Sequence, residues 1–406
     1  MKSHIWFVLS LSFLFVYCNP SKKDSTTHPL ILISVDGLRP DYLEKTETPN
    51  FDYLIENGVL AKHMIPVFPS KTFPNHYSLV TGLYAENTGL VSNNMFDKSM
   101  GERFTMSNRD AVMDKRWYGG EPIWVTAEIQ NIRAGTLFWP GSEAPIMDTY
   151  ATHWLQYDHD MPHDARVDTV INWLQNPFET RPTMITFYLS QVDSYGHRYG
   201  PESDSVKVAL KEVDRTLGYL IDELKRIEVW PNVHILITSD HGMTEVSNER
   251  VILLDKIIDL DLVDVIDWSP VAMIEPKDFA NRNALYEKLK SSESNYKVFM
   301  KRDIPSHYRI ANHPRTPEIM VIADIGYTIT TSQNANTRII SGGAHGYDNR
   351  EPDMRSFFLG YGPNLKQNTI VEPFQSIHVY ELMTNLLNLT PAKNNGSLDS
   401  VRTVLR

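Results

Sequence analysis

Apolar and polar positions alternate along this chain between two regimes. Pro29 to Val35, Met184 to Leu189 and Val233 to Thr238 are short, almost wholly apolar runs. Such runs predict parallel strands buried on both faces. Between the second and third, the apolar residues Val206, Leu210, Val213, Leu217, Leu220 and Leu224 step by four and three. That spacing predicts a helix over Ser203 to Leu224, with Ser203 as N-cap just beyond Pro201. Strands alternating with helices predict an α/β sandwich around a mostly parallel sheet. In such sheets the site lies at the carboxyl ends of the strands. Roughly 100 residues separate His241 from His345, near the lower end of a small domain. Strand-like runs (Val271–Ile274, Glu318–Ala323) and a helical stretch (Asn283–Lys290) predict a small inserted α/β subdomain at about 250–340. A last helix is expected over about Ile377 to Leu387.

The N-terminus adds an export pattern. Lys2 precedes an apolar run, Ile5 to Tyr17, too short to span a bilayer. The one cysteine, Cys18, closes that run, and polar residues follow to Thr27. Residues 1–27 are expected to be a leader and polar linker, and 28–406 the catalytic domain. Cys18 after an apolar run resembles a bacterial lipoprotein signal, which implies lipid attachment to a membrane. The alternative is loss of Cys18 with a cleaved peptide. Both place the protein outside the cytoplasm, in a periplasm or at a cell surface. The net charge of −11 excludes nucleic acid as a stable partner but not a small anionic substrate held by dications.

The strand ends carry the chemistry. Asp36 ends Ile31-Leu-Ile-Ser-Val-Asp, and Asp240 and His241 follow Val233-His-Ile-Leu-Ile-Thr-Ser239. Asp193 and His197 share Asp193-Ser-Tyr-Gly-His197, and His345 lies in Gly342-Gly-Ala-His-Gly346. Each fragment alone could be a turn or a surface histidine; together they predict a two-metal phosphoryl-transfer site. Mixed Asp/His ligation suits Zn²⁺, and Mn²⁺ or Fe²⁺ less well. Glycines beside His345 are expected to leave room for an ion. Thr72, in Pro69-Ser-Lys-Thr-Phe-Pro-Asn-His76, is the candidate nucleophile, activated by metal and placed near a helix start marked by Pro74. It could equally be a plain N-cap.

These motifs resemble the nucleotide pyrophosphatase/phosphodiesterase family of the alkaline phosphatase superfamily. The resemblance runs through Ser34-Val-Asp-Gly-Leu-Arg39, Lys71-Thr-Phe-Pro-Asn-His76, Gly119-Gly-Glu-Pro-Ile-Trp124, Phe138-Trp-Pro-Gly-Ser-Glu143, Asp193 to His197, Ser239-Asp-His-Gly-Met243 and Gly343-Ala-His-Gly-Tyr347. It implies a single-domain bacterial member with an alkaline-phosphatase-like α/β/α sandwich and two Zn²⁺ per chain. Asp193, His197 and His345 would hold one zinc. Asp36, Asp240 and His241 would hold the other, with the Thr72 hydroxyl bound to it. Asn93 would donate to a phosphoryl oxygen.

The implied reaction is hydrolysis of nucleotide phosphodiester and pyrophosphate bonds through a threonyl-phosphate intermediate, releasing nucleoside 5′-monophosphate. In nucleotide-cleaving members a Phe and a Tyr sandwich the base, and Phe73 and Tyr157 stand at the matching places. The runner-up is a phospholipid or glycerophosphodiester phosphodiesterase on the same scaffold. A phosphomonoesterase and a catalytically dead binding protein are the remaining readings. Base preference and oligomeric state have no signal in the sequence.

Overall fold

The computed structural model describes residues 27–406. The leader, Cys18 and most of the linker lie outside the described residues. No helix among the described residues is long and apolar enough to cross a membrane.

Eight strands make the main sheet. In chain order they are β1 (Leu30–Val35), β2 (Val59–Ala61), β3 (Ala134–Leu137), β4 (His153–Leu155), β5 (Met184–Leu189), β6 (His234–Thr238), β7 (Phe358–Tyr361) and β8 (Thr369–Val371). Their spatial order is β8-β2-β7-β6-β1-β5-β3-β4. β1 lies central and pairs in parallel with β5 and β6, and β5 continues in parallel to β3. β7 runs antiparallel to both neighbours. The expected α/β sandwich with a mostly parallel sheet is therefore the observed one.

Alternation within β1 explains the layers. Ile31, Ile33 and Val35 face a core shared with helices α2 (His163–Leu174) and α4 (Asp204–Arg226). Leu30 and Leu32 face the opposite core, with helix α1 (Thr72–Thr81) and the C-terminal helix Val379–Leu386. Both faces of β1 are buried, so its residues are apolar on both sides apart from Ser34. The Ser203 side chain caps α4 by accepting from Val206 N–H, as expected. Helix α3 (Gln191–Tyr199) starts directly after β5 and carries Asp193 and His197.

Between β6 and β7 the chain builds a second, four-stranded antiparallel sheet in the order Val263–Asp267, Val271–Pro276, Ile319–Ala323, Tyr296–Met300. One face packs its own helix Arg282–Ser291, with Leu285 and Leu289 against Ile274, Val298 and Val321. The other face, with Val271, Met273 and Met320, joins the core that contains α1.

A buried ion pair ties this region to the main body. Arg315 Nε donates to Asp97 Oδ2 at 2.8 Å, and its other nitrogens donate to the carbonyls of Gly89, Arg116 and Trp117. Burial works to raise the Asp97 carboxyl, but the Ser99 hydroxyl, Arg315 and the Met100 N–H outweigh it and hold it well below the usual range. A folded pKa below the unfolded one contributes stability above the unfolded value, lost as pH falls. Asp97→Asn is expected to cost about 3 kcal/mol at neutral pH, because Arg315 keeps its buried charge without a partner. The difference from wild type should shrink as the pH is lowered from about 5 towards 2. Urea denaturation across that range checks this; a gap independent of pH would assign the loss to packing.

Candidate metal centre and cleft

Every carboxylate or imidazole of the site arrives from the carboxyl end of a central strand or from the loop that crosses it. Asp36 follows β1, Asp193 sits in the first turn of α3 after β5, and Asp240 and His241 follow β6. His345 comes from the crossing segment, where Gly343–Ala344 pairs with Thr244–Glu245. The structure brings the ligand atoms of these five together, and His197, later in α3, stands beside Asp193. His241 Nε2 lies 2.9 Å from Asp240 Oδ2 and 3.5 Å from Asp36 Oδ1. Asp193 Oδ1 lies 3.4 Å from His197 Nε2 and 3.7 Å from His345 Nε2. His241 also lies close enough to join Asp193 and His345 in one group, its ring stacked on that of His345 with centroids 3.5 Å apart. Ligand atoms of Asp36, Asp240 and His241 form the other group.

The donor set fits divalent cations. Asp36 Oδ1, Asp193 Oδ1, Asp240 Oδ2 and His241 Nε2 are buried with no hydrogen-bond partner. Buried polar atoms are rarely left so, and a cation is what three clustered carboxylates lack. Burial, then the Asp240 and Asp193 carboxylates, push the Asp36 carboxyl well above the usual range. Burial likewise raises Asp193. Burial also works to raise Asp240, but His241 and His76 outweigh it and hold Asp240 low. His345 is pushed down by burial and by the neighbouring His241 and His197.

The imidazoles are oriented from behind. Nδ1 of His197, His241 and His345 each meets a carbonyl oxygen at 2.9 Å, of Gly343, Gly242 and Ser70 in turn. A carbonyl only accepts, so Nδ1 carries a proton and Nε2 is the nitrogen turned towards the site. This is the arrangement of metal-ligating histidines. The glycines near His345 have no room for a side chain: at Gly343 a Cβ would lie 2.7 Å from Met243 Cγ and 2.8 Å from Gly196 O. Gly342 has φ +82, and a Cβ there would lie 2.0 Å from His197 O. Gly346 has φ +106 and packs on the Lys71 side chain.

Thr72 opens α1 as its first helical residue, and Lys71 is the N-cap, so the plain N-cap reading of Thr72 does not hold. Fully buried Asn75 fixes the approach: it accepts from Val67 N–H and donates to the carbonyls of Val67, Pro69 and Lys71. Asn93 accepts from Phe73 N–H through Oδ1 at 2.9 Å, which leaves its Nδ2 as the free donor.

Thr72, Asp36 and Asp193 line one cleft of about 270 Å³ together with Phe73, Tyr157, Trp139 and the Arg109–Glu143 ion pair. Phe73 is largely buried, its ring edge-on to Phe104. Tyr157 is half-buried, with its hydroxyl 3.0 Å from His159 Nδ1.

Sequence reasoning missed three supporting residues. His76, buried in α1, shares a hydrogen bond with Ser34 Oγ, donates to Thr72 O and lies 3.3 Å from Asp240 Oδ2. Its place four residues after Thr72 was the available signal. The Tyr188 hydroxyl donates to Asp36 Oδ2 at 2.6 Å. Buried Arg166 donates to the carbonyls of Asp158, His159, Met161 and Tyr188 and so braces the loop that carries Tyr157.

Residues 30–348 match the model of the family described as type I phosphodiesterase / nucleotide pyrophosphatase. The human bis(5′-adenosyl)-triphosphatase ENPP4 is 36% identical over 401 residues, 98% of this chain and 86% of that protein. Human ectonucleotide pyrophosphatase/phosphodiesterase family member 5 is 37% identical over 405 residues, 100% and 82% of the two chains. Among solved structures, murine member 5, an inactive threonine-to-alanine variant in complex with AMP, superposes with a TM-score of 0.89 at 36% identity. That match covers 93% of this chain and 100% of the other.

Proposed function

The chain belongs to the type I phosphodiesterase / nucleotide pyrophosphatase family of enzymes, and we propose that it hydrolyses nucleotide diesters and pyrophosphates to nucleoside 5′-monophosphates through a covalent phosphate ester on Thr72. One observation carries this reading: the candidate nucleophile, two carboxylates with orphaned ligand atoms (Asp36 and Asp193) and two aromatic rings line one cleft. The AMP bound to the murine relative supports a nucleotide as the occupant.

Asp193, His197 and His345 would hold one Zn²⁺, and Asp36, Asp240 and His241 the other. Bound there, the ions supply the positive charge that makes a hydroxyl or water nucleophilic and offsets charge on the leaving oxygen. The Thr72 oxygen forms a bond to phosphorus as the ester bond to the leaving group breaks. Water then cleaves the Thr72 ester and releases the monophosphate. Thr72 stands at the positive end of α1, which favours negative charge on it and on the phosphoryl group. Asn93 Nδ2 donates to a nonbridging oxygen, since its Oδ1 is taken by Phe73 N–H. Phe73 and Tyr157 stack the base. The guanidinium lining the cleft, Arg109, is ion-paired with Glu143, which favours a diester over the doubly charged monoester. The leader pattern in the sequence supports export to a periplasm or cell surface.

The test compares kcat/KM for p-nitrophenyl thymidine 5′-monophosphate, p-nitrophenylphosphocholine and p-nitrophenyl phosphate on metal-loaded protein. The nucleotide ester should be preferred by about tenfold or more, since stacking contributes ~1–3 kcal/mol per base. Tyr157→Ala should raise KM for that ester and leave the choline ester unchanged. Preference for the choline ester, with Tyr157→Ala affecting both alike, would move the enzyme to lipid-type diesters.

A further inference from the structure

Lys71, just ahead of Thr72, and Ser92 and Asn94, on either side of Asn93, all converge on one carboxylate from the second sheet. Lys71 Nζ donates to Asp267 Oδ2 at 2.6 Å. The Ser92 hydroxyl donates to the same oxygen. Asn94 Nδ2 donates to Asp267 Oδ1 at 3.1 Å, as does the Trp268 N–H at 2.9 Å. The Lys71 and Asp267 side chains are only 6% and 7% exposed, so this ion pair is shielded from water and salt. Asp267 ends the edge strand Val263–Asp267, just after its register with Val271–Pro276 shifts between Val265 and Asp267. Such an irregularity re-aims a side chain that a regular strand would point elsewhere.

We propose that Asp267 is a positioning residue: it clamps the Thr72 segment to the Asn93 segment and so sets the nucleophile against the amide that stabilises charge on the phosphoryl group. The inference rests on the roles given above to Thr72 and Asn93. Two links join the segments. One is direct, Phe73 N–H to Asn93 Oδ1. That bond orients the Asn93 amide but does not fix the distance between the two backbones. Asp267 does so, because it grips Lys71 on one side and both neighbours of Asn93 on the other. The grip comes from a sheet that otherwise contributes nothing to the cleft lining. Beyond the apolar packing of one face on the core that contains α1, the second sheet thus reaches both segments through one polar side chain.

The test is a double-mutant cycle on the holoenzyme with the nucleotide ester. Asp267→Asn should lower kcat about 10–100-fold, the range for loss of an orienting partner, with KM within about threefold and metal content unchanged. On an Asn93→Ala background the same substitution should cost less than about threefold, because the donor it positions is gone. Ser92→Ala leaves the Lys71–Asp267 pair intact and should show the same non-additivity in smaller measure, which covers an Asp267 variant that folds poorly. Effects that multiply in both cycles, or a fall in metal content matching the fall in kcat, would overturn the clamp. If Asn93→Ala itself leaves kcat unchanged, the failure lies in the role given to Asn93.

Discussion

Thr72→Ala is expected to lower kcat by about 10⁴-fold or more while the protein stays folded and keeps its metal. The size follows from the role: an alanine methyl cannot form the covalent ester, and loss of one member of such a unit costs nearly as much as loss of the whole. Stability should change by less than about 0.5 kcal/mol. Thr72 is half-buried at the first position of α1, where Ala is a good helix former and no side chain caps the helix. Activity, metal content and thermal midpoint measured on one preparation check this. Rapid acid quench of the wild type should trap a phosphate ester on Thr72, absent from the variant. A variant within tenfold of wild type would remove Thr72 as nucleophile. The inactive threonine-to-alanine variant of the murine relative is the outcome expected here.

Asp36→Asn should change sign with metal. Asp36 Oδ2 is held by the Tyr188 hydroxyl, and Oδ1 is buried without a partner, beside two more carboxylates. With metal supplied, kcat/KM should fall by about 10³-fold and the bound metal by one ion per chain. The variant should also lose stabilisation by metal, which reaches about 4 kcal/mol at a thousandfold excess over Kd. After exhaustive EDTA treatment the order should reverse, with the variant melting above wild type. Asn keeps an acceptor for Tyr188 and removes one of three mutually repelling buried charges. Thermal melts with and without EDTA, beside metal analysis, decide this. A variant less stable than wild type in both conditions would make Asp36 a structural carboxylate.

The strands that carry the site were legible because being buried on both faces demands runs that are mostly apolar. β1 and β5 fall within a residue of the apolar runs that marked them, and α4 follows its heptad-like stepping. Asp36, Asp240 and His241 were legible because strand ends are where a parallel sheet exposes functional groups. The Lys71 to His76 block was legible as a unit, yet its residues divide their work in ways that order alone does not reveal. Thr72 faces the cleft, Asn75 pins the preceding loop, and His76 reaches back to Ser34 and towards Asp240. The glycines around His345 were legible as necessary, and the structure adds that backbone contacts and the Lys71 side chain demand their small size.

The sequence by itself determined which residue types stand at the strand ends, and therefore the fold class and the candidate ligands, because periodicity and strand-end placement are local properties of the chain. Only the tertiary structure decided how those ligands are shared and held. His241 lies within reach of both groups, Tyr188 holds Asp36 from 152 positions away, and Asp267 meets Lys71 across 196. Such contacts leave no periodic trace, because they depend on where whole elements pack and on a register shift in one edge strand that redirects a single carboxylate.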